Sequence, residues 1–119
     1  MMQPKLPYER GDVVLALYPD SNLRTAKTRP ALVVQADDLE TGLPQVIVAM
    51  ITSRLFRAGH PSRVTVQLSA PEGQSSGLLA DSVVMTDNLA TVAGSEIDRV
   101  IGTLPMTKVD RALRHTLNL

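Results

Sequence analysis

The sequence predicts a mainly β fold: a small twisted sheet or partly closed barrel finished by one C-terminal helix. Three observations carry this. The apolar segments are short, closely spaced and separated by turn-forming Gly, Pro, Asn and Asp. They are rich in Val, Ile and Leu, and "RVTVQL" alternates so that one face is buried and the other wet. Only residues 105–119 show helical spacing, with Met106, Val109, Leu113 and Leu117 recurring every three or four positions.

Taken in order, "DVVLALY" (Asp12 to Tyr18) reads as a first strand. The polar stretch Pro19 to Arg29 reads as a connection, long for so small a protein, and long loops often carry function. "PALVVQA" (Pro30 to Ala36) is a second strand and "VIVAMITS" (Val46 to Ser53) a third, apolar on both faces until its end. Arg54 to Ser62 is a loop and Arg63 to Leu68 the alternating strand. Ser69 to Gly77 reads as a flexible loop. "LLADSVVMT", "LATV" and "VIGTL" are strand-like, with one helical turn expected in "AGSEIDR". Pro105 suits the first position of the terminal helix.

The 119 residues fit one domain spanning 1–119, and 44% hydrophobic residues suffice for a core. With 3% aromatics and no Trp, that core is aliphatic. The absence of Cys excludes disulfides and thiolate metal sites, and two His are too few for a histidine metal cluster, so no metal or cofactor is expected. No run approaches the ~20 apolar residues that span a bilayer. "MMQPKLPYERGD" has no apolar signal region, so the expected location is cytoplasmic, with no membrane partner. Twelve basic residues balance twelve acidic ones, which argues against non-specific electrostatic binding of nucleic acid. The charges are nonetheless patterned. Arg24, Lys27 and Arg29 cluster in the first third, and Arg54, Arg57 and Arg63 near the middle.

Each candidate residue has two readings. Arg29, fixed by Pro30, is either a surface arginine or a phosphate grip. Thr52 and Ser53 either cap a strand or bind a ligand oxygen. Asp87, before Asn88, is either a turn residue or a carboxylate that orients an arginine or transfers a proton. His60, in a loop with Arg57 and Arg63, is either a turn histidine or a general acid or base. His115 sits where a cation offsets a helix dipole. "PEGQSSG" lacks the spacing of a phosphate-binding glycine loop.

In combination, "RGDVVLALYP", "KTRPALVV", "VIVAMITSR", "GLLADSVVMTDNLATV" and "IGTL…VDRALRHTLNL" resemble the MazF/PemK (Kid) toxins of toxin–antitoxin systems, over Arg10 to Leu119. The resemblance implies an SH3-like barrel with a C-terminal helix, usually a homodimer. It implies a metal-independent endoribonuclease on single-stranded RNA, using the RNA 2′-OH to give a 2′,3′-cyclic phosphate and a 5′-OH. It also implies a cognate antitoxin whose disordered acidic tail covers the RNA-binding face. Arg29 matches the family arginine that stabilises the phosphorane and serves as general acid. Thr52 matches the threonine that binds the scissile phosphate, and Asp87 a functional aspartate of some members. Arg24, Lys27, Ser53, Arg54, Phe56, Arg57 and His60 are then the expected RNA contacts.

The chain departs from the pattern at Arg24, where many members carry a glutamate, and at Asn22, where they carry glycine. The usual carboxylate base is therefore missing, leaving Asp20, Asp87 or His60 to take the proton. The same departure keeps open a weakened toxin fold that only binds RNA or a protein. A gyrase poison of the CcdB type, similar in fold, depends on a C-terminal tryptophan that this chain lacks. "LPMTKVD" also opens the last helix with fewer residues than is common in the family.

Overall fold

The computed structural model describes residues 7–119. Six strands form it: β1 (Asp12–Pro19), β2 (Ala26–Val33), β3 (Gln45–Thr52), β4 (Arg63–Val66), β5 (Ser82–Ala93) and β6 (Ile97–Thr103). A short helix α1 (Pro71–Ser75) stands between β4 and β5, and α2 (Thr107–Leu117) ends the chain. Single 3-10 turns lie at Leu55–Arg57 and Gly94–Glu96. Among the described residues no helix is long and apolar enough to cross a membrane.

All pairings are antiparallel, in the order β4-β5-β3-β2-β1-β6. The two end strands do not pair, so the expected barrel is open along one seam. The sheet still curls strongly, because β1 touches β5 across two intervening strands. That curl buries a first cluster without any helix over it: Val14, Ala16, Tyr18, Ala31, Val33, Val48, Met50, Val83 and Met85. The opposite face carries Val13, Leu32, Ala49, Ile51 and Val84, covered by Leu104 and Val109 of the α2 region. The alternation of strand side chains thus fills two cores from one sheet.

The "RGD" block is structural. Gly11, at φ 96°, donates its N–H to Val33 and accepts from Leu104, so β2 and the α2 approach meet at its backbone. Arg10 donates to the Val34 carbonyl and pairs with Asp110 on α2, while Asp12 accepts from the Glu9 N–H.

Four elements differ from the sequence reading. β2 begins at Ala26 rather than Pro30, so the connection after β1 shrinks to a tight turn and Arg29 lies inside a hairpin. Its residues Ala26, Lys27 and Thr28 are exposed, which is why they read as loop. β5 runs unbroken through the stretch read as two strands, because its polar centre is a bulge. Pro105 precedes α2, whose N-cap is Met106. And Ser69 to Gly77 is not loose: it folds over the open seam. A Cβ on Gly73 would stand 2.0 Å from the Gln67 carbonyl oxygen, and one on Gly102 of β6 2.3 Å from the Ser76 backbone. The segment therefore bridges the end of β4 to β6 by close backbone contact.

Candidate active site

The site is built at one rim of the first core face. Directly opposed residues of antiparallel strands share a face. Ala16 opposes Arg29 and Tyr18 opposes Lys27, so both cations project on the side of the buried Ala16 and Tyr18. The β2–β3 ladder runs Val33↔Val48, Leu32↔Ala49, Ala31↔Met50 and stops where Pro30 has no N–H to give. Arg29 lies two residues beyond the last paired rung, Ala31↔Met50, and Thr52 two residues beyond it on β3. Thr52 in turn opposes Val83, a first-core residue. Arg29 and Thr52, the two residues paired in the sequence reading, therefore lie on one face at the end of the β2–β3 ladder.

Thr52 is buried, and its Oγ1 accepts the Arg54 N–H at 3.2 Å. It caps the strand end, and the cap fixes the hydroxyl. Arg29 is half-buried and pairs with Asp20 at 3.1 Å. Asp20 also accepts from the Thr25 hydroxyl at 2.7 Å. These two bonds, the Thr25 hydroxyl first and the Arg29 guanidinium second, hold the Asp20 carboxyl below the ordinary aspartate range, with Lys27 adding a weaker attraction. A carboxylate is thus present beside Arg29, although it comes from four residues earlier in the chain than the family glutamate position. Arg24 occupies that position in the exposed turn, next to Leu23 at φ 59°, and its side chain has no partner among the described residues.

A bulge in β5 supplies the far wall. Met50 pairs with Met85 but Ala49 with Leu89, so Thr86, Asp87 and Asn88 have no partner on β3. Tyr18 clamps this bulge by donating its hydroxyl to the Asn88 carbonyl at 2.6 Å. Burial pushes the Tyr18 phenol up to about 12, so it remains a neutral donor. Asn88 reaches the Met50 sulfur at 3.5 Å. Tyr18 was not singled out by the sequence reading; its only signal is a tyrosine closing a strand of aliphatic residues.

The structure divides the other candidates into two groups. Arg57 reaches the Met85 sulfur at 3.6 Å and stands 5.8 Å from the centre of the exposed Phe56 ring, so these two join the β5 wall. Ser53 and Arg54 are exposed beside Thr52. His60 points elsewhere. Its Nδ1 is 2.7 Å from the Ser62 hydroxyl, and its ring meets His115 edge-on at 6.1 Å, beneath α2. Asp87 forms a two-point pair with Arg63, at 2.8 and 3.4 Å, rather than facing Arg29. That pair, backed by the Arg63 bond to the Arg57 carbonyl, fixes the loop after β3 against β5.

The Arg63 guanidinium, before any other cause, holds the Asp87 carboxyl below its ordinary range. The folded state therefore binds that proton less readily than the unfolded chain does. The pair's contribution to stability is present above the unfolded aspartate value of about 3.9 and is lost as the pH falls below it. Asp87→Asn is expected to flatten the acid limb of stability against pH, measured by urea unfolding between neutrality and pH 3. An unchanged slope would remove the pair from acid unfolding.

Comparison with known proteins agrees with this geometry. Residues 9–117 match the family described as PemK-like, MazF-like toxin of type II toxin–antitoxin system. The chain is 35% identical over 107 residues to Endoribonuclease MazF2 of Mycobacterium bovis, covering 87% of this chain and 90% of the relative. The same identity and coverage hold for Endoribonuclease MazF6 of Mycobacterium tuberculosis. A solved mycobacterial endoribonuclease in complex with its cognate antitoxin shares the fold at TM-score 0.71 and 24% identity, over 94% of this chain and 96% of that one. With residues 9–117 matched to the family and 35% identity over 107 residues to a curated relative, the chain belongs to the PemK-like, MazF-like toxins of type II toxin–antitoxin systems.

Proposed function

We propose that this chain is the toxin of a toxin–antitoxin pair and an endoribonuclease that cleaves single-stranded RNA in the cytoplasm without a metal ion. The observation that carries the reading is that Arg29 and Thr52 lie on the first core face at the end of the β2–β3 ladder, in a chain of this family. A guanidinium fork and a fixed hydroxyl suit the two kinds of phosphate oxygen at a scissile linkage.

The RNA 2′-oxygen attacks the adjacent phosphorus as its proton passes to a base. The bond from phosphorus to the 5′-oxygen breaks, and that oxygen takes up a proton. The products are a 2′,3′-cyclic phosphate and a 5′-OH. Arg29 neutralises the charge that develops on the phosphorane, and Thr52 holds one oxygen in place. Asp20 is the base. While paired to Arg29 it is ionised and weakly basic. An incoming phosphate competes for the same guanidinium, and the released carboxylate regains basicity as its partner is taken. Asp20→Asn is expected to slow cleavage by about 10²-fold or more, the scale of a lost general base, with RNA affinity little changed. A rate equal to wild type would return the role to another group.

RNA backbone is bound by Lys27, Arg54 and Arg57, with Ser53 at the strand end, and Phe56 offers the stacking surface. His60 contributes from the side, through the loop it braces, and Asp87 acts by holding Arg63. Arg24, exposed in the turn, adds a phosphate contact. Arg24→Glu should weaken RNA binding and reduce the slope of log affinity against log salt, because fewer counterions are released. An unchanged slope would place Arg24 outside the groove. The partners are a second copy of the chain and a cognate antitoxin, whose acidic tail competes with RNA for the same cations. Incubation with single-stranded RNA in EDTA tests the whole reading: fragments support it, and intact RNA overturns it.

A further inference from the structure

The back of the β5 bulge is tied to α2 by a bond that the cleavage chemistry does not use. Strand side chains alternate between faces. Val83 and Met85 belong to the first core, whereas Val84 belongs to the second, under α2. Thr86 takes the side of Val84 and is fully buried. Its N–H donates to the Ser62 carbonyl at 3.0 Å, and its hydroxyl donates to the same carbonyl at 2.6 Å. A hydroxyl has one hydrogen and a carbonyl oxygen has none. The Thr116 hydroxyl, 2.7 Å from that of Thr86, is therefore the donor in the contact between them. A directed chain results, from Thr116 through Thr86 to the Ser62 carbonyl, in which each bond polarises the next.

Thr116 lies in the last turn of α2, and that turn is closed. Asn118, at φ 56°, takes the left-handed position after the helix, and the N–H groups of Asn118 and Leu119 both reach the Arg114 carbonyl. Ser62 is buried and is also held by His60, whose Nδ1 accepts the Ser62 N–H at 3.1 Å. The His60 ring meets that of His115, the neighbour of Thr116. Two adjacent residues of α2 thus reach Ser62 by separate routes.

The tie holds the far wall of the site. Residues 86–88 have no partner on β3, so the ladder does not fix them. Tyr18 holds Asn88, and Arg63 holds Asp87 while bonding to the Arg57 carbonyl. Thr116 secures Thr86 from behind. We propose that Thr116 is a positioning residue for RNA binding, acting through Thr86 to keep the bulge, and with it Arg57 and Phe56, in place. This rests on the reading of that face as the site of RNA cleavage.

Thr116→Val tests it, because it deletes the hydroxyl and keeps the branched shape. Thr86 still donates to Ser62, so no buried donor is orphaned, and the urea midpoint should not change. Affinity for 2′-fluoro RNA, which lacks the attacking oxygen, should fall by about three- to tenfold, the scale of one net hydrogen bond. The single-turnover rate on ordinary RNA at saturation should stay at the wild-type value, since Arg29, Thr52 and Asp20 do not move. Thr116→Ser should restore the affinity. In a Thr86→Val background Thr116→Val should add no further loss, as expected when one residue acts through the other. Amide shifts of residues 86–88 in the ¹⁵N-labelled chain should move in Thr116→Val and return in Thr116→Ser. Undiminished affinity, an equal loss in Thr116→Ser, additive losses in the double variant or unmoved amides at 86–88 would each overturn the proposal. A wild-type chain that binds RNA without cleaving it would sink the nuclease reading alone, and one that binds no RNA would overturn both.

Discussion

Arg29→Ala should abolish RNA cleavage while leaving the fold intact. The expected loss is about 10³-fold or more, the size seen when a preorganised charge or donor is removed from a developing anion. Arg29 is only half-buried and sits on the rim rather than in either core, so its truncation removes little packing. Two things change at once. The phosphorane loses its guanidinium, and Asp20 loses one of its two hydrogen-bond partners and moves toward an ordinary aspartate, held by Thr25 and weakly by Lys27. Arg29→Lys keeps the charge but not the planar fork, so it should restore part of the rate at best. Single-turnover cleavage of a short RNA, with circular dichroism beside it, measures both. A folded Arg29→Ala variant that cleaves at the wild-type rate would move the chemistry elsewhere.

Gly77→Ala should be the most damaging single-atom change to the fold. Gly77 has φ 73°, which costs an alanine about 1 kcal/mol or more. The new Cβ would also stand 2.0 Å from the Ile101 carbonyl oxygen, a backbone atom that can yield only if β6 shifts. Overpacking of that sort typically adds about 1–3 kcal/mol. The sum, roughly 2–4 kcal/mol, is a large share of the roughly 5–15 kcal/mol that holds a typical domain. Because the segment bridges β4 to β6, the loss falls on the open seam of the sheet. Urea unfolding should show a lower midpoint; an unchanged midpoint would mean that the seam is not held by this contact.

The segments that form the candidate site were legible in the residues. "RPA" and "ITS" each sit where apolar residues meet polar ones, and Thr52 does close β3, but β2 starts at Ala26, so Arg29 stands within its strand rather than at its end. Their relation was legible only through the family resemblance, because register is a property of pairing and not of either strand alone. Asp20 was one of three carriers considered for the missing carboxylate. What brings it beside Arg29 is the early start of β2, hidden because Ala26, Lys27 and Thr28 face solvent and show no apolar alternation. The bulge at residues 86–88 was equally hidden, since "TDN" reads as a turn whether the chain reverses or only kinks. The seam segment reads as flexible because it is rich in Gly and Ser. Here those small residues permit backbone contact rather than motion. His60 was drawn toward the site by its neighbours in sequence, whereas its ring is turned to Ser62 and His115.

The central claim is that Arg29, Thr52 and Asp20 together promote attack by the RNA's own 2′-oxygen. The most direct measurement is the chemical identity of the new ends. RNA cleaved in EDTA by the wild-type chain should carry a 2′,3′-cyclic phosphate on one fragment and a 5′-OH on the other. An RNA with a 2′-deoxy sugar at the cleavage position should stay intact. A 5′-phosphate end, or cleavage of the deoxy-substituted strand, would show that water rather than the 2′-oxygen is the nucleophile and would contradict the account.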